Sequence, residues 1–101
     1  MNDYILLIYN DAVDAAAADD GEKWNQYLSS LRLSGCFDGG SAIGHGLKVR
    51  KGHPEQPSSP DLTGFIRVRA DSLAKAQAFL VGNPAYEAGG TVEVRELPRD
   101  Q

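Results

Sequence analysis

A chain of 101 residues is the length of one domain, and 42% apolar with 24% charged residues is ordinary globular composition. A formal charge of −4 argues against a general nucleic-acid binder, because neutralising phosphates requires a basic surface, although it leaves room for a local basic patch. Cys36 is the single cysteine, which excludes an intrachain disulfide and the disulfide scaffolds of small secreted domains.

Residues 4–9 (Tyr-Ile-Leu-Leu-Ile-Tyr) are apolar on both alternating faces, so they predict a central strand covered on both sides. The stretch is far too short to cross a membrane and lacks a basic leader region. A cytoplasmic protein without a membrane partner is therefore expected. An acidic, alanine-rich connection follows. Asp19, with Glu22 three residues on, predicts a helix start close to a capping box. Trp24, Tyr27, Leu28 and Leu31 then recur at the spacing of one helical face, and Gly35 supplies the stop.

The run Asp38-Gly39-Gly40-Ser41-Ala42-Ile43-Gly44-His45-Gly46 reads as a glycine-rich turn passage. It leads to Leu47-Lys48-Val49-Arg50-Lys51, whose alternation predicts a half-buried strand. Residues 52–61, with three prolines, predict a loop. Residues 62–69 predict a third strand, with Ile66 and Val68 on one face and Arg67 and Arg69 on the other. Asp71 or Ser72 caps a second helix from Leu73 to Val81. That helix stops at Gly82-Asn83-Pro84, since glycine accepts positive φ and proline lacks the donor to continue. A compact turn and a last alternating strand, Thr91 to Leu97, complete the order β-α-β-β-α-β. This is an α+β, ferredoxin-like antiparallel sheet with two helices on one face. The face left bare predicts a second copy packed sheet against sheet, a homodimeric α+β barrel.

Tyr4 to Tyr9, Gly39-Gly40, and Asn83-Pro84 with Gly89-Gly90-Thr-Val-Glu-Val-Arg-Glu-Leu97 together resemble, in order and across nearly the whole chain, the YCII-related proteins and their DGPF branch. The resemblance implies a ferredoxin-like fold in dimeric barrels. It also brings a family whose cellular role is mostly open, in which one member dehalogenates a chlorinated aromatic and DGPF members often lie beside sigma-factor genes. Two departures matter. The Asp-Gly-Pro-Phe signature is absent between the second and third strands, where Ser58-Ser59-Pro60-Asp61-Leu62 stands. The histidine and aspartate that the family pairs as an acid–base dyad fall on Trp24 and Asn83. Tryptophan cannot accept a proton and asparagine cannot ionise, so the family's catalytic role does not transfer.

His45, among glycines that let backbone approach a ligand, is a candidate base or hydrogen-bond partner, or else a solvated loop histidine. Cys36, His45 and His53 lack zinc-site spacing, and the glycine run is neither a P-loop nor a dinucleotide fingerprint, so no metal or cofactor is expected. Lys48, Arg50, Arg67, Arg69 and Arg95 either share a sheet face that orients an anion or pair with acids such as Glu93, Glu96 and Asp61. Trp24, Tyr27 and Tyr86 are candidates for a cleft between the first helix and the closing turn.

Three functions follow. The first is binding of a small polar or anionic molecule near Trp24, His45, Asn83, Tyr86 and Arg67. The second is a protein-interaction module in a regulatory context, using residues 52–61 and 11–22. The third is an enzyme with a site rebuilt on His45.

Overall fold

The structure, a computed structural model, describes residues 1–99. Strands β1 (Asn2–Tyr9), β2 (Phe37–Ala42), β5 (Leu62–Ala70) and β6 (Val92–Leu97) form one antiparallel sheet in the order β2-β5-β1-β6. Between β1 and β2 lie helices α1 (Ala15–Ala18) and α2 (Gly21–Leu33). Between β5 and β6 lie α3 (Leu73–Gln77), a 3₁₀ turn (Ala78–Leu80) and α4 (Pro84–Glu87). This is the ferredoxin-like order expected, with β5 and β1 central.

Burial along β1 alternates as strand geometry requires. Tyr4, Leu6 and Ile8 point to the helices and are buried, whereas Asp3, Ile5, Leu7 and Tyr9 point outward and are half-buried. Ile66, Val68 and Ala70 of β5 join the inner face, and Tyr27, Leu31, Ala76, Leu80 and Ala85 close over it. Leu6 and Val68 lose all contact with solvent, each worth about 1.5–3 kcal/mol. Among the described residues no helix is long and apolar enough to cross a membrane.

The second sheet strand is not Leu47–Lys51 but Phe37–Ala42, within the passage read as a turn. The glycines there serve strand pairing. Gly39, at φ 99°, opens a bulge between the pairs Phe37↔Val68 and Gly40↔Ile66. A Cβ on Gly40 would lie under 3.0 Å from the Phe65 carbonyl oxygen, so only glycine lets β2 approach β5 this closely. Residues 47–51 belong instead to a projecting arm. There β3 (Leu47–Lys48) pairs with β4 (Gln56–Pro57) in a ladder of two rungs. With no layer beneath it, the alternation of apolar residues buries nothing: Leu47 is 61% and Val49 74% exposed. The arm helps raise the radius of gyration to 14.9 Å, above the roughly 13 Å of a compact chain this long.

Smaller corrections concern the caps. Asp20, not Asp19, caps α2, accepting from Glu22 N at 3.0 Å and Lys23 N at 3.2 Å. Gly35, at φ 75°, follows its end. The acidic connection contains α1, whose cap is Asp14. The second predicted helix tightens to 3₁₀ geometry after Gln77, and the compact turn after Gly82 is the single-turn α4.

Candidate functional site

Helix α2 lays two rows of side chains on the sheet. Tyr27 and Leu31 enter the core. Trp24, Leu28 and Arg32, at i, i+4 and i+8, form the row toward β2. Strand β2 carries only glycine, serine and alanine after Asp38, so there is little side chain to fill the gap opposite that row. What remains is a cavity of about 390 Å³, walled by Trp24, Leu28 and Arg32 of α2 on one side and by Ile8, Phe37, Gly40, Gly64 and Ile66 of the sheet on the other. Ala12, Ala18, Asp19 and Ala85 close one end.

The walls are held firmly. Trp24 donates its indole N–H to the Ala18 carbonyl at 2.6 Å, tying α1 to α2. Its ring meets Tyr27 edge to face, with centroids 5.9 Å apart. The Arg32 guanidinium carbon lies 5.6 Å from the Phe37 ring centroid, a cation–π arrangement that keeps the charge beside the cavity. A second, more open groove of about 680 Å³ lies on the far side of Tyr27, between Lys23, Gln26, Gly82 and Glu87. Its rim mixes both charges and gives a ligand less enclosure, so the Trp24 cavity is the better candidate.

Of the five residues expected to form the site, Trp24 alone lines this cavity. Asn83 is wholly buried one turn away, where its Oδ1 accepts from Tyr86 N at 3.1 Å and caps α4. Its Nδ2 makes no well-formed hydrogen bond among the described residues. Tyr86 is linked to Asn83 through this backbone contact, and its side is 46% exposed. His45 is exposed in the loop between β2 and β3. Arg67 is exposed on the outer sheet face.

The outer face does bring Arg67, Arg69 and Arg95 together, as the registers Ile5↔Arg67, Asp3↔Arg69 and Ile5↔Arg95 require. Lys48 and Arg50 stand apart, within the arm. Arg69 Nε sits 3.1 Å from Asp38 Oδ2, and Arg95 Nη1 sits 3.8 Å from Glu93 Oε2, so two of the three arginines face acids already. Arg32 and Phe37 were not singled out by sequence reasoning. The available signal was the i+8 step from Trp24, which puts a cation in line with the aromatic row. Among the described residues no three His, Cys, Asp or Glu side chains gather as a metal-binding group.

Tyr27 donates its hydroxyl to the Phe79 carbonyl at 2.7 Å, which ties α2 to the 3₁₀ turn. Burial pushes its phenol above the ordinary value, and the nearby Asn83 amide only partly opposes this. Tyr9 is raised as well, chiefly because its hydroxyl donates to Glu93 Oε1 at 2.6 Å. For Tyr27 a raised folded pKa means the contribution to stability is complete below about pH 10 and is lost as pH rises through the folded value. An absorbance titration of phenolate should therefore show a component above the ordinary range. Tyr27→Phe should diminish that component, and an unchanged titration would mean that Tyr27 is not shielded.

No family model matches the chain, and a search of curated proteins returns no match. Among solved structures the fold is similar to 5-chloro-2-hydroxyhydroquinone dehydrochlorinase from Burkholderia phenoliruptrix AC1100, solved in complex with 2,5-dihydroxybenzoquinone. The TM-score is 0.54 at 17% identity, over 95% of each chain. A likeness at that identity speaks to the fold.

Proposed function

We propose that this chain is a YCII-related, DGPF-like protein that binds a small polar or anionic molecule in the Trp24 cavity and works as a homodimer. The observation that carries the reading is the cavity itself: about 390 Å³ between α2 and the sheet, lined largely by apolar side chains such as Trp24, Leu28, Phe37 and Ile66, with Asn10, Asp19 and Arg32 among them. The dehydrochlorinase of similar fold was solved with a small ring compound, but the ligand class proposed here rests on the lining. Binding, rather than the acid–base chemistry of the family, is favoured by the two positions where that dyad would stand. Trp24 engages its N–H with Ala18, and Asn83 is a buried helix cap.

The dimer reading draws on the outer sheet face, where Ile5, Leu7, Phe65 and Leu97 lie half-buried with no layer of this chain over them. Sedimentation at micromolar protein is expected to report twice the 10.9 kDa chain mass. A single 10.9 kDa species would remove the dimer and leave the cavity reading standing.

Trp24 is the only tryptophan, so its emission reports on this cavity alone. Small carboxylates, phosphates and substituted phenols are to be titrated against it, with Trp24→Phe as the blank. A saturable change with at least one of these classes is expected. A flat response with every class would remove the binding function.

A further inference from the structure

The polar groups lining the cavity divide sharply into engaged and free. Tyr9 donates to Glu93, Trp24 to the Ala18 carbonyl, Ser41 to the Ala42 carbonyl at 2.8 Å, and Thr63 to the Ile8 carbonyl at 3.4 Å. Each of those donors already has a partner within the protein. Asn10, Asp19 and Arg32 also line the cavity, and their side chains make no hydrogen bond or ion pair among the described residues. The unengaged charges stand at opposite ends of α2. Residues 21 to 32 span roughly 17 Å at the helical rise of 1.5 Å per residue, with Asp19 just before the first turn and Arg32 in the last. Between them run Trp24 and Leu28 on one wall and Ile8 and Ile66 on the other.

Given the cavity reading above, on which this rests, we propose that the ligand is an aromatic acid. Its ring lies between the Trp24–Leu28 row and the sheet, and its carboxylate pairs with Arg32 beside Phe37. Three features set that polarity. Arg32 offers a planar fork of donors matched to a carboxylate. Its stacking on Phe37 holds the fork at the cavity wall, so little side-chain freedom is lost on pairing. Asp19 repels an anion from the other end, which disfavours the reversed orientation. A neutral aromatic of the same shape keeps the apolar contacts and forgoes the charge pairing, so Arg32 acts as the specificity-determining residue.

The test uses 2-naphthoate and its neutral isostere 2-naphthamide, titrated into the full chain and into Arg32→Gln and Arg32→Lys. Binding is read from the Trp24 indole N–H resonance, which fluorescence of the probe does not disturb. Because Arg32 is exposed, its replacement should leave the fold intact, and an unchanged melting temperature checks this. Naphthoate is expected to bind about five- to tenfold more tightly than naphthamide. Arg32→Gln should bring naphthoate down to the amide's affinity without altering the amide, and Arg32→Lys should recover part of the difference. Equal affinities for the two probes, or a naphthoate affinity indifferent to Arg32→Gln, would overturn the aromatic-acid assignment while leaving the cavity as a binding site. If neither probe moved the Trp24 resonance, the aromatic-acid assignment would fall. The wider panel of phosphates and phenols would then decide separately whether the cavity binds anything.

Discussion

Gly40→Ala is expected to destabilise the protein by about 2–3 kcal/mol and to lower its melting temperature by roughly 10–20 °C. The added methyl would meet the Phe65 carbonyl oxygen at under 3.0 Å, with Ile66 Cα close behind. Both belong to the backbone of a central strand, which cannot step aside as a flexible side chain would. Relief therefore has to come from β2 moving off β5, and that loses ladder bonds and widens the cavity, since Gly40 is part of its wall. Gly44→Ala is the control. Nothing lies within 4 Å of a Cβ there, so the change should stay within about 0.5 kcal/mol. Thermal melts of the two variants side by side decide the matter. If both melted like the parent, Gly40 would not be paired with Ile66.

Leu6 and Leu7 are adjacent, and their replacements should fail in different ways. Leu6 is fully buried against the helices, so Leu6→Ala should cost about 3–4 kcal/mol through lost burial and the cavity left behind. That is a large part of the roughly 5–15 kcal/mol that holds a domain together, and the loss should be the same at every protein concentration. Leu7 points out of the opposite face, paired across to Phe65 and Glu93. Leu7→Lys should leave the isolated subunit folded, because its long side chain can reach solvent from that face. Its expected effect is on assembly: sedimenting mass falling from the proposed dimer to the 10.9 kDa chain. Denaturation curves read the first variant and sedimentation the second. A Leu7→Lys protein that sedimented like the parent would mean that this face is not the interface.

Much of the fold is local and was legible. The alternation in residues 4–9 and 62–69, the Trp24-Tyr27-Leu28-Leu31 spacing and the stops at Gly35 and Gly82 each depend on a period or a dihedral that neighbouring residues set by themselves. Those signals, in order, were enough for the ferredoxin-like arrangement. The second strand was hidden because the two usual cues pointed the wrong way. Phe37–Ala42 looked like a turn since glycine usually marks one, yet Gly40 is there to admit the neighbouring strand. Leu47–Lys51 looked like a strand since it alternates, yet alternation buries residues only when a layer lies against one face, and the arm has none.

The site divided along the same line. Trp24 lies on a helical face that the sequence determined, and it lines the cavity. Composition likewise argued against a general nucleic-acid binder, and the single cysteine ruled out an intrachain disulfide. Only the tertiary structure decided that Asn83 is a buried cap, that His45 and Arg67 stand away from Trp24, and that Arg32 and Phe37 stand beside it. The reason is physical. A cap, a period and a turn are fixed by contacts a few residues apart, whereas a cavity is the space left between elements, and its lining depends on strand registers that local sequence does not encode.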